Sequence, residues 1–160
     1  MSLIEVLPAV EIAGHRASGL GSDDHPMRIM TRRAAGLAPG GWDAKARGQV
    51  ETIFDELSRE WHTRTSPQRT AVVVDALDRG GVHGGAVAIE VGSGIGNHSV
   101  LLAERFGTVA AVDLSLAMLR LAPSGPATRI QADAAELPFP AGRADAGAGV
   151  NALLFPAEVN

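Results

Sequence analysis

The sequence predicts an α/β fold built on an open parallel sheet, and three observations support this class. From residue 82 onward, short apolar strand-like runs alternate with helical segments, the order that repeated strand–helix–strand units produce. The first strand, Ala86–Val91, ends in a glycine-rich turn, Gly92–Gly96, at the start of a helix. The next two strands each end in an aspartate. Because parallel strands bring their carboxyl ends to one edge of a sheet, we expect these features to meet there.

The elements of residues 82–160, the predicted α/β core, follow from apolar runs and their boundary residues. After the first strand, a helix is expected at residues 98–106, with Gly107 as its stop. Ser115 is a plausible N-cap for the next helix, which Pro123 ends. The remaining strands are predicted at residues 108–112, ending at Asp113, at 128–132, ending at Asp133, and at 144–155 as a weak, glycine-containing strand.

Residues 1–81 are predicted to form an N-terminal arm and a helical cap. Asp43 caps a helix at 43–61, and Ser66 followed by Pro67 begins a second one that Gly80 closes. Before them we expect a strand or extended arm at 3–10, a loop at 14–26 and a short helix with a basic face at 27–38. Asp23, Asp24 and His25 are adjacent in sequence and cannot face one ion from a strand or helix, so no metal site is predicted.

The composition excludes several classes of function. With 18 acidic and 14 basic residues, the net charge of −4 offers no basic field for nucleic acid. The absence of cysteine excludes disulfides and thiolate catalysis. No apolar run approaches the roughly 20 residues of a membrane span, and the N-terminus lacks a basic signal region. A cytoplasmic protein that does not bind membranes is the expectation.

Acidic residues around the glycine turn indicate which nucleotide it would bind. The spacing is G-x-G-x-G rather than the G-x-G-x-x-G of dinucleotide sites, and Glu90 two residues earlier would repel a pyrophosphate but suit an ammonium group. Asp113 can accept hydrogen bonds from both ribose hydroxyls, and Asp133 from the adenine amine. Adenosine joined to a cationic amino acid describes S-adenosylmethionine, so a nicotinamide-dependent oxidoreductase is the less favoured alternative.

Four successive motifs in this region resemble those of class I S-adenosylmethionine-dependent methyltransferases. They are I-E-V-G-S-G-I-G-N at Ile89–Asn97, V-D-L-S-L-A-M-L at Val112–Leu119, Q-A-D-A-A-E-L-P-F-P at Gln131–Pro140 and A-D-A-G-A-G-V-N at Ala144–Asn151. The second and third look most like small-molecule methyltransferases of the quinone-biosynthesis type. The resemblance implies methyl transfer to a small-molecule acceptor.

The resemblance also assigns cofactor-binding roles. The methionine portion would be held by Glu90 and by Gly92, Ser93, Gly94 and Gly96 of the turn. Asp113 would bind the ribose, Leu114 and Met118 would line the adenine or ribose, Asp133 and Ala134 would meet the adenine, and Asn151 would lie near the methionine end. Leu114 and Met118 could instead be core residues, Gly96 could serve helix packing, and Asp133 or Asn151 could simply cap loops.

The resemblance implies a three-layer, Rossmann-like fold of seven strands, of which this sequence supplies the first four, in the order 3-2-1-4. A chain of this kind is expected to lack the C-terminal half of the domain and to leave the fourth strand as an apolar edge. Such an edge invites pairing with another chain, including a second copy. A non-catalytic or partner-dependent cofactor-binding module is therefore the alternative to an active enzyme.

No catalytic residue can be named from the sequence. Methyl transfer from a sulfonium requires neither a metal nor an acid for the leaving group, and a base only for an unactivated acceptor. His62 is a weak candidate for that base. Trp61 is expected to complete the apolar stripe of its helix, and His98 to begin the helix after the glycine turn.

Overall fold

A computed structural model of the chain describes residues 25–153. The expectations for residues 3–10, for the loop before Pro26 and for Asp23 and Asp24 lie outside this range, as does the end of the predicted strand 144–155. The helices are α1 Pro26–Ala34, α2 Ala44–Leu57, α3 Pro67–Arg79, α4 Ser99–Ala103 and α5 Leu116–Leu121, with a 3₁₀ helix at Ser58–Arg64. The strands are β1 Gly85–Val91, β2 Phe106–Asp113, β3 Thr128–Gln131 and β4 Ala146–Gly149.

The four strands form one parallel sheet in the order β3-β2-β1-β4, which confirms the predicted α/β class and strand order. The register pairs Val91 of β1 with Val112 of β2 and with Gly149 of β4. Val112 in turn pairs with Ile130 of β3. The carboxyl ends of all four strands therefore lie at one edge of the sheet.

Side chains of β1, β2 and α4 form the centre of the core. Ala88, Leu102, Phe106 and Val109 are all buried, and Leu77 of α3 packs against them. These small and medium apolar side chains allow α4 to lie directly on β2. The glycine turn between β1 and α4 is thus attached to a buried part of the core.

Three predicted helix starts agree with the structure, because each is set by an N-cap residue and an amide only three residues further along the chain. Asp43 accepts a hydrogen bond from the Ala46 amide at 2.7 Å. Ser66 accepts one from Arg69 at 3.3 Å, and Ser115 accepts one from Met118 at 3.1 Å. Each N-cap satisfies a backbone donor that the first helical turn leaves without a partner.

The predicted helix 98–106 was too long. The helix ends at Ala103, and both Phe106 and Gly107 belong to β2, so Gly107 is not a helix stop. Phe106 pairs with Gly85 of β1 and is buried in the core. Just before it, the Arg105 guanidinium donates to the Val82 carbonyl at 3.0 Å and to Asp78 at 2.7 Å. These distant contacts outweigh the local helical pattern.

The other helix ends differ more modestly from the prediction. The α-helix predicted at 43–61 tightens into a 3₁₀ helix from Ser58, whose hydroxyl donates to the Asp55 carbonyl at 2.7 Å. That 3₁₀ helix continues through residues 62–64, beyond the predicted end of the helix at 61. Helix α1 ends at Ala34 rather than at residue 38. None of the helices within residues 25–153 combines the length and apolar character that crossing a bilayer requires.

Candidate functional site

A cleft lies at the carboxyl edge of the sheet, between the strand ends and the N-terminal helices. It encloses about 100 Å³ and is bounded mainly by apolar side chains, with Asp113 and Asp133 as its two carboxylates within the described part of the chain. The sheet contributes the residues that follow β1, β2, β3 and β4. From the N-terminal side come Met27, Trp42, Val50, Phe54 and Trp61. A mostly apolar cleft with a few polar groups is typical of small-molecule sites.

The glycine turn requires glycine for conformational reasons. Gly92, Gly94 and Gly96 have φ angles of +70°, +55° and +78°, in the left-handed region that other residues rarely adopt. A Cβ on Gly92 would also lie 2.6 Å from the Ala152 Cβ. Gly92 and Gly94 line the cleft, so their backbone can approach a ligand closely.

Asp113 joins the end of β2 to the glycine turn. Its Oδ2 accepts the Gly94 amide hydrogen at 2.7 Å, and its Oδ1 accepts that of Ser115 at 2.8 Å. Burial raises the pKa of this carboxyl, although the backbone donors oppose the shift. The carboxylate has further lone pairs beyond these two bonds and borders the cleft, so it can accept hydroxyl hydrogens from a ligand.

Asp133 follows β3 and is bound by groups of the protein itself. The Trp42 indole Nε1 lies 3.1 Å from its Oδ1 and 2.9 Å from its Oδ2. The Ala135 amide donates to Oδ1 at 2.9 Å, which is the loop-capping role considered for this residue. Arg47 approaches Oδ2 at 4.0 Å. Asp133 is therefore both a loop cap and a cleft residue.

Glu90 lies beneath the glycine turn and does not border the cleft. It is 1% exposed, and its Oε2 accepts the Ser99 hydroxyl hydrogen at 2.5 Å. Burial raises its pKa from 4.5 to about 7; the Ser99 hydrogen bond opposes this shift and the charge of Asp113 adds to it. His98 Nδ1 is 3.9 Å from Oε1, but burial lowers the pKa of His98, so the imidazole provides little countercharge near pH 7.

The remaining predicted site residues divide between two places. Leu114, Met118, Ala134 and Asn151 border the cleft, and Asn151 has a φ of +55°. Met118 is 1% exposed, so it is also a core residue. Ser93 and Gly96 instead border a separate cavity of about 20 Å³ beneath the turn, together with Ser99. The buried Ser93 hydroxyl has no hydrogen-bond partner there.

Several cleft residues had no assigned role in the sequence interpretation. Trp42 and Phe54 border the cleft. Trp61, interpreted as a core residue, packs edge-on against Phe54 with ring centroids 5.8 Å apart and also faces the cleft. His62 faces a different groove, beside Arg59 and Arg120. The position of Trp42 immediately after Gly40 and Gly41 gave no sign of its contact with Asp133.

Comparison with known proteins agrees with the motif interpretation over part of the chain. Residues 89–157 match the family model described as a methyltransferase domain. This segment includes the glycine turn, Asp113, Asp133 and Asn151, and it supports the resemblance to methyltransferases. A search of curated proteins and a search of solved structures each returned no match.

Proposed function

We propose that this protein transfers the methyl group of S-adenosylmethionine to a small-molecule acceptor. The observation that carries the proposal is Asp113, which bonds the Gly94 amide at 2.7 Å at the cleft, within the segment that matches the methyltransferase domain. A carboxylate fixed beside a glycine turn at the end of the second strand is suited to hold both hydroxyls of a ribose.

The other cleft residues fit an adenosyl ligand extended along the strand ends. Leu114 and Met118 offer apolar surface to the ribose and adenine. Ala134 leaves room for the ring, and Asp133 offers an acceptor for its amine. At the opposite end, Gly92 and Gly94 would leave space for the methionine portion, near Asn151. Glu90, beneath the turn, would act on that portion through the loop rather than by contact.

The reaction that such a site supports is an in-line displacement. The acceptor's lone pair forms the new bond to the methyl carbon, and the carbon–sulfur bond breaks with its electrons remaining on sulfur. The leaving group is a neutral thioether, which needs no proton. The protein would therefore accelerate the step mainly by aligning the acceptor, the methyl carbon and the sulfur.

The motif forms around Asp113 and Asp133 favour an acceptor of the phenol or quinol type. D-L-S-L-A-M-L and D-A-A-E-L-P-F are the parts of the sequence that look like quinone-biosynthesis methyltransferases. A phenol is acidic enough to react as its anion with modest assistance, which suits a cleft whose described carboxylates both have cofactor roles.

Isothermal titration calorimetry with S-adenosylmethionine, S-adenosylhomocysteine and NAD tests the cofactor. We expect both adenosyl ligands to bind and NAD not to bind. Asp113→Ala should weaken binding by roughly 10- to 100-fold, because the ribose hydroxyls lose a charged acceptor. Asp75→Ala on α3, which removes the ion pair with Arg79 and lies outside the residues that line the cleft, is the control. Preference for NAD, or unchanged affinity in Asp113→Ala, would refute the assignment.

A non-catalytic or partner-dependent binding module is the second candidate. It is favoured by the absence of a titratable side chain other than Asp113 and Asp133 among the described residues of the cleft, which leaves no evident general base. Turnover separates the two functions. Release of S-adenosylhomocysteine with quinols, phenols or amines would establish an enzyme, whereas binding without turnover would favour the module.

We also propose that β4 can pair with the β4 edge of a second copy of the chain. In the part of the chain that the structure describes, β4 pairs with β1 on one side and with no strand on the other. Unpaired backbone groups along a strand edge favour such association. Light scattering coupled to size-exclusion chromatography should then show a concentration-dependent mass, and a monomer at all concentrations would exclude this pairing.

A further inference from the structure

We propose that Trp42 is a latch that holds the cofactor cleft closed by donating its indole N–H to Asp133, and that an adenosyl ligand must displace it. The inference rests on the proposed function, since it concerns the carboxylate expected to accept the adenine amine. It concerns a residue outside the segment that matches the methyltransferase domain.

The latch contact is centred on the carboxylate. The indole Nε1 is 3.1 Å from Oδ1 and 2.9 Å from Oδ2, so its single hydrogen is shared between both oxygens. Oδ1 already accepts the Ala135 amide hydrogen. The side chain of Asp133 is only 14% exposed. An adenine amine approaching this carboxylate through the cleft would compete with the indole for the same oxygens.

The N-terminal segment from α1 through α2 forms a cover over the cleft. Its buried residues Met30, Ala46 and Val50 pack with Leu114 after β2 and Leu153 after β4. The cleft beneath encloses about 100 Å³, whereas sites for drug-sized ligands typically enclose 300–1,000 Å³. We therefore expect an adenosyl ligand to push the cover outward.

The contacts of α2 indicate which end of the cover moves. Near its C-terminal end, Asp55 accepts the Ser115 hydroxyl hydrogen at 2.5 Å and the Ala117 amide hydrogen at 3.3 Å, which fixes that end to α5. Trp42 lies just before the other end and follows Gly40 and Gly41, both with positive φ. Loss of the indole bond would let the segment around Trp42 move away from Asp133, while α2 remains attached through Asp55 and its buried residues Ala46 and Val50.

Calorimetry with S-adenosylhomocysteine tests the latch. Trp42→Phe keeps an aromatic ring for packing but removes the donor, so we expect it to bind about tenfold more tightly than the wild type, the equivalent of one hydrogen bond to a charged group. Trp61→Phe is the matched control: the same substitution in the same cleft, at a side chain that makes no hydrogen bond to Asp133. We expect no tightening in the control.

Fluorescence provides a second test that does not depend on the Trp42 variant. The chain has two tryptophans, so in Trp61→Phe all tryptophan emission comes from Trp42. We expect this emission to shift to longer wavelength, and acrylamide quenching to increase, when S-adenosylhomocysteine saturates the site.

The outcomes separate the latch from the function on which it rests. Tighter binding in Trp42→Phe, or binding in that variant alone, supports the latch. Equal or weaker binding in Trp42→Phe, or unchanged Trp42 emission at saturation, overturns the latch and leaves the proposed function intact. If neither the wild type nor Trp42→Phe binds S-adenosylhomocysteine, the latch and the proposed function are both wrong.

Discussion

Replacing Glu90 with glutamine should stabilise the protein increasingly as the pH rises. Glu90 is buried beneath the glycine turn, and its pKa is raised from 4.5 to about 7, chiefly by burial. The folded protein thus binds this proton more tightly than the unfolded chain does. The stability that Glu90 contributes is fully present below pH 4.5 and is lost as the pH rises through about 7.

The difference between the two pKa values sets the size of the effect. It corresponds to roughly 3 kcal/mol of unfolding free energy between pH 4.5 and pH 8. Glutamine keeps an oxygen that can accept the Ser99 hydroxyl hydrogen but carries no charge. The unfolding free energy of Glu90→Gln minus that of the wild type should therefore increase by roughly 3 kcal/mol over this range.

Urea denaturation at pH 5, 6, 7 and 8 measures this difference. Other titrating groups act in both proteins and cancel in the comparison, apart from Asp113, whose charge interacts with that of Glu90. Glu104→Gln, an exposed residue at the end of α4, is the matched control and should show a nearly constant difference. If the Glu90→Gln difference is also constant with pH, or decreases as the pH rises, the carboxyl is ionised in the folded protein throughout and the burial argument is wrong.

Three further substitutions test individual contacts by urea denaturation. Gly92→Ala should destabilise the fold by roughly 2–3 kcal/mol, because it combines a φ of +70° with a Cβ only 2.6 Å from that of Ala152. Gly142→Ala is the control, since Gly142 has a φ of +72° but no described atom lies within 4 Å of its Cβ position. A smaller loss of stability in Gly92→Ala than in Gly142→Ala would contradict the prediction. Asp145→Ala should cost about 1 kcal/mol, because Oδ2 accepts the amides of Ala86 and Val87 at 2.7 and 2.9 Å; unchanged stability would show that water replaces them. Asp55→Ala should lower the unfolding free energy by about 1–3 kcal/mol, because the buried Ser115 hydroxyl loses its acceptor. Asp55→Asn keeps an acceptor oxygen and should recover part of this loss.

Features determined by nearby residues could be predicted from the sequence. The N-caps Asp43, Ser66 and Ser115 each bond an amide three residues later, so a short window of sequence contains all the information needed. The strand order followed from the alternation of strands and helices together with the family resemblance. The division at residues 81 and 82 into a cap and a core stays a prediction.

Features determined by distant residues could not be predicted in this way. Phe106 continues an apolar helical pattern, but it joins β2 because β1 provides a pairing partner at Gly85. The contact between Trp42 and Asp133 joins residues 91 positions apart. Glu90 precedes the turn in the expected place, yet its side chain points beneath the loop to Ser99. No local spacing specifies which side of the turn a side chain will take.

The three acids that suggested a nucleotide site have different physical roles because their surroundings differ. Asp113 accepts backbone amides at the cleft and remains available to a ligand, whereas Asp133 is bound by the indole of the N-terminal cover. Glu90 has one hydroxyl donor and a pKa of about 7, so it gains charge over the physiological range. Since Ser99 and the glycine turn enclose it, a change in its charge would act on a ligand through the turn. Comparing the ligand affinity of the wild type with that of Glu90→Gln should therefore separate an electrostatic contribution of Glu90 from the direct contact proposed for Asp113.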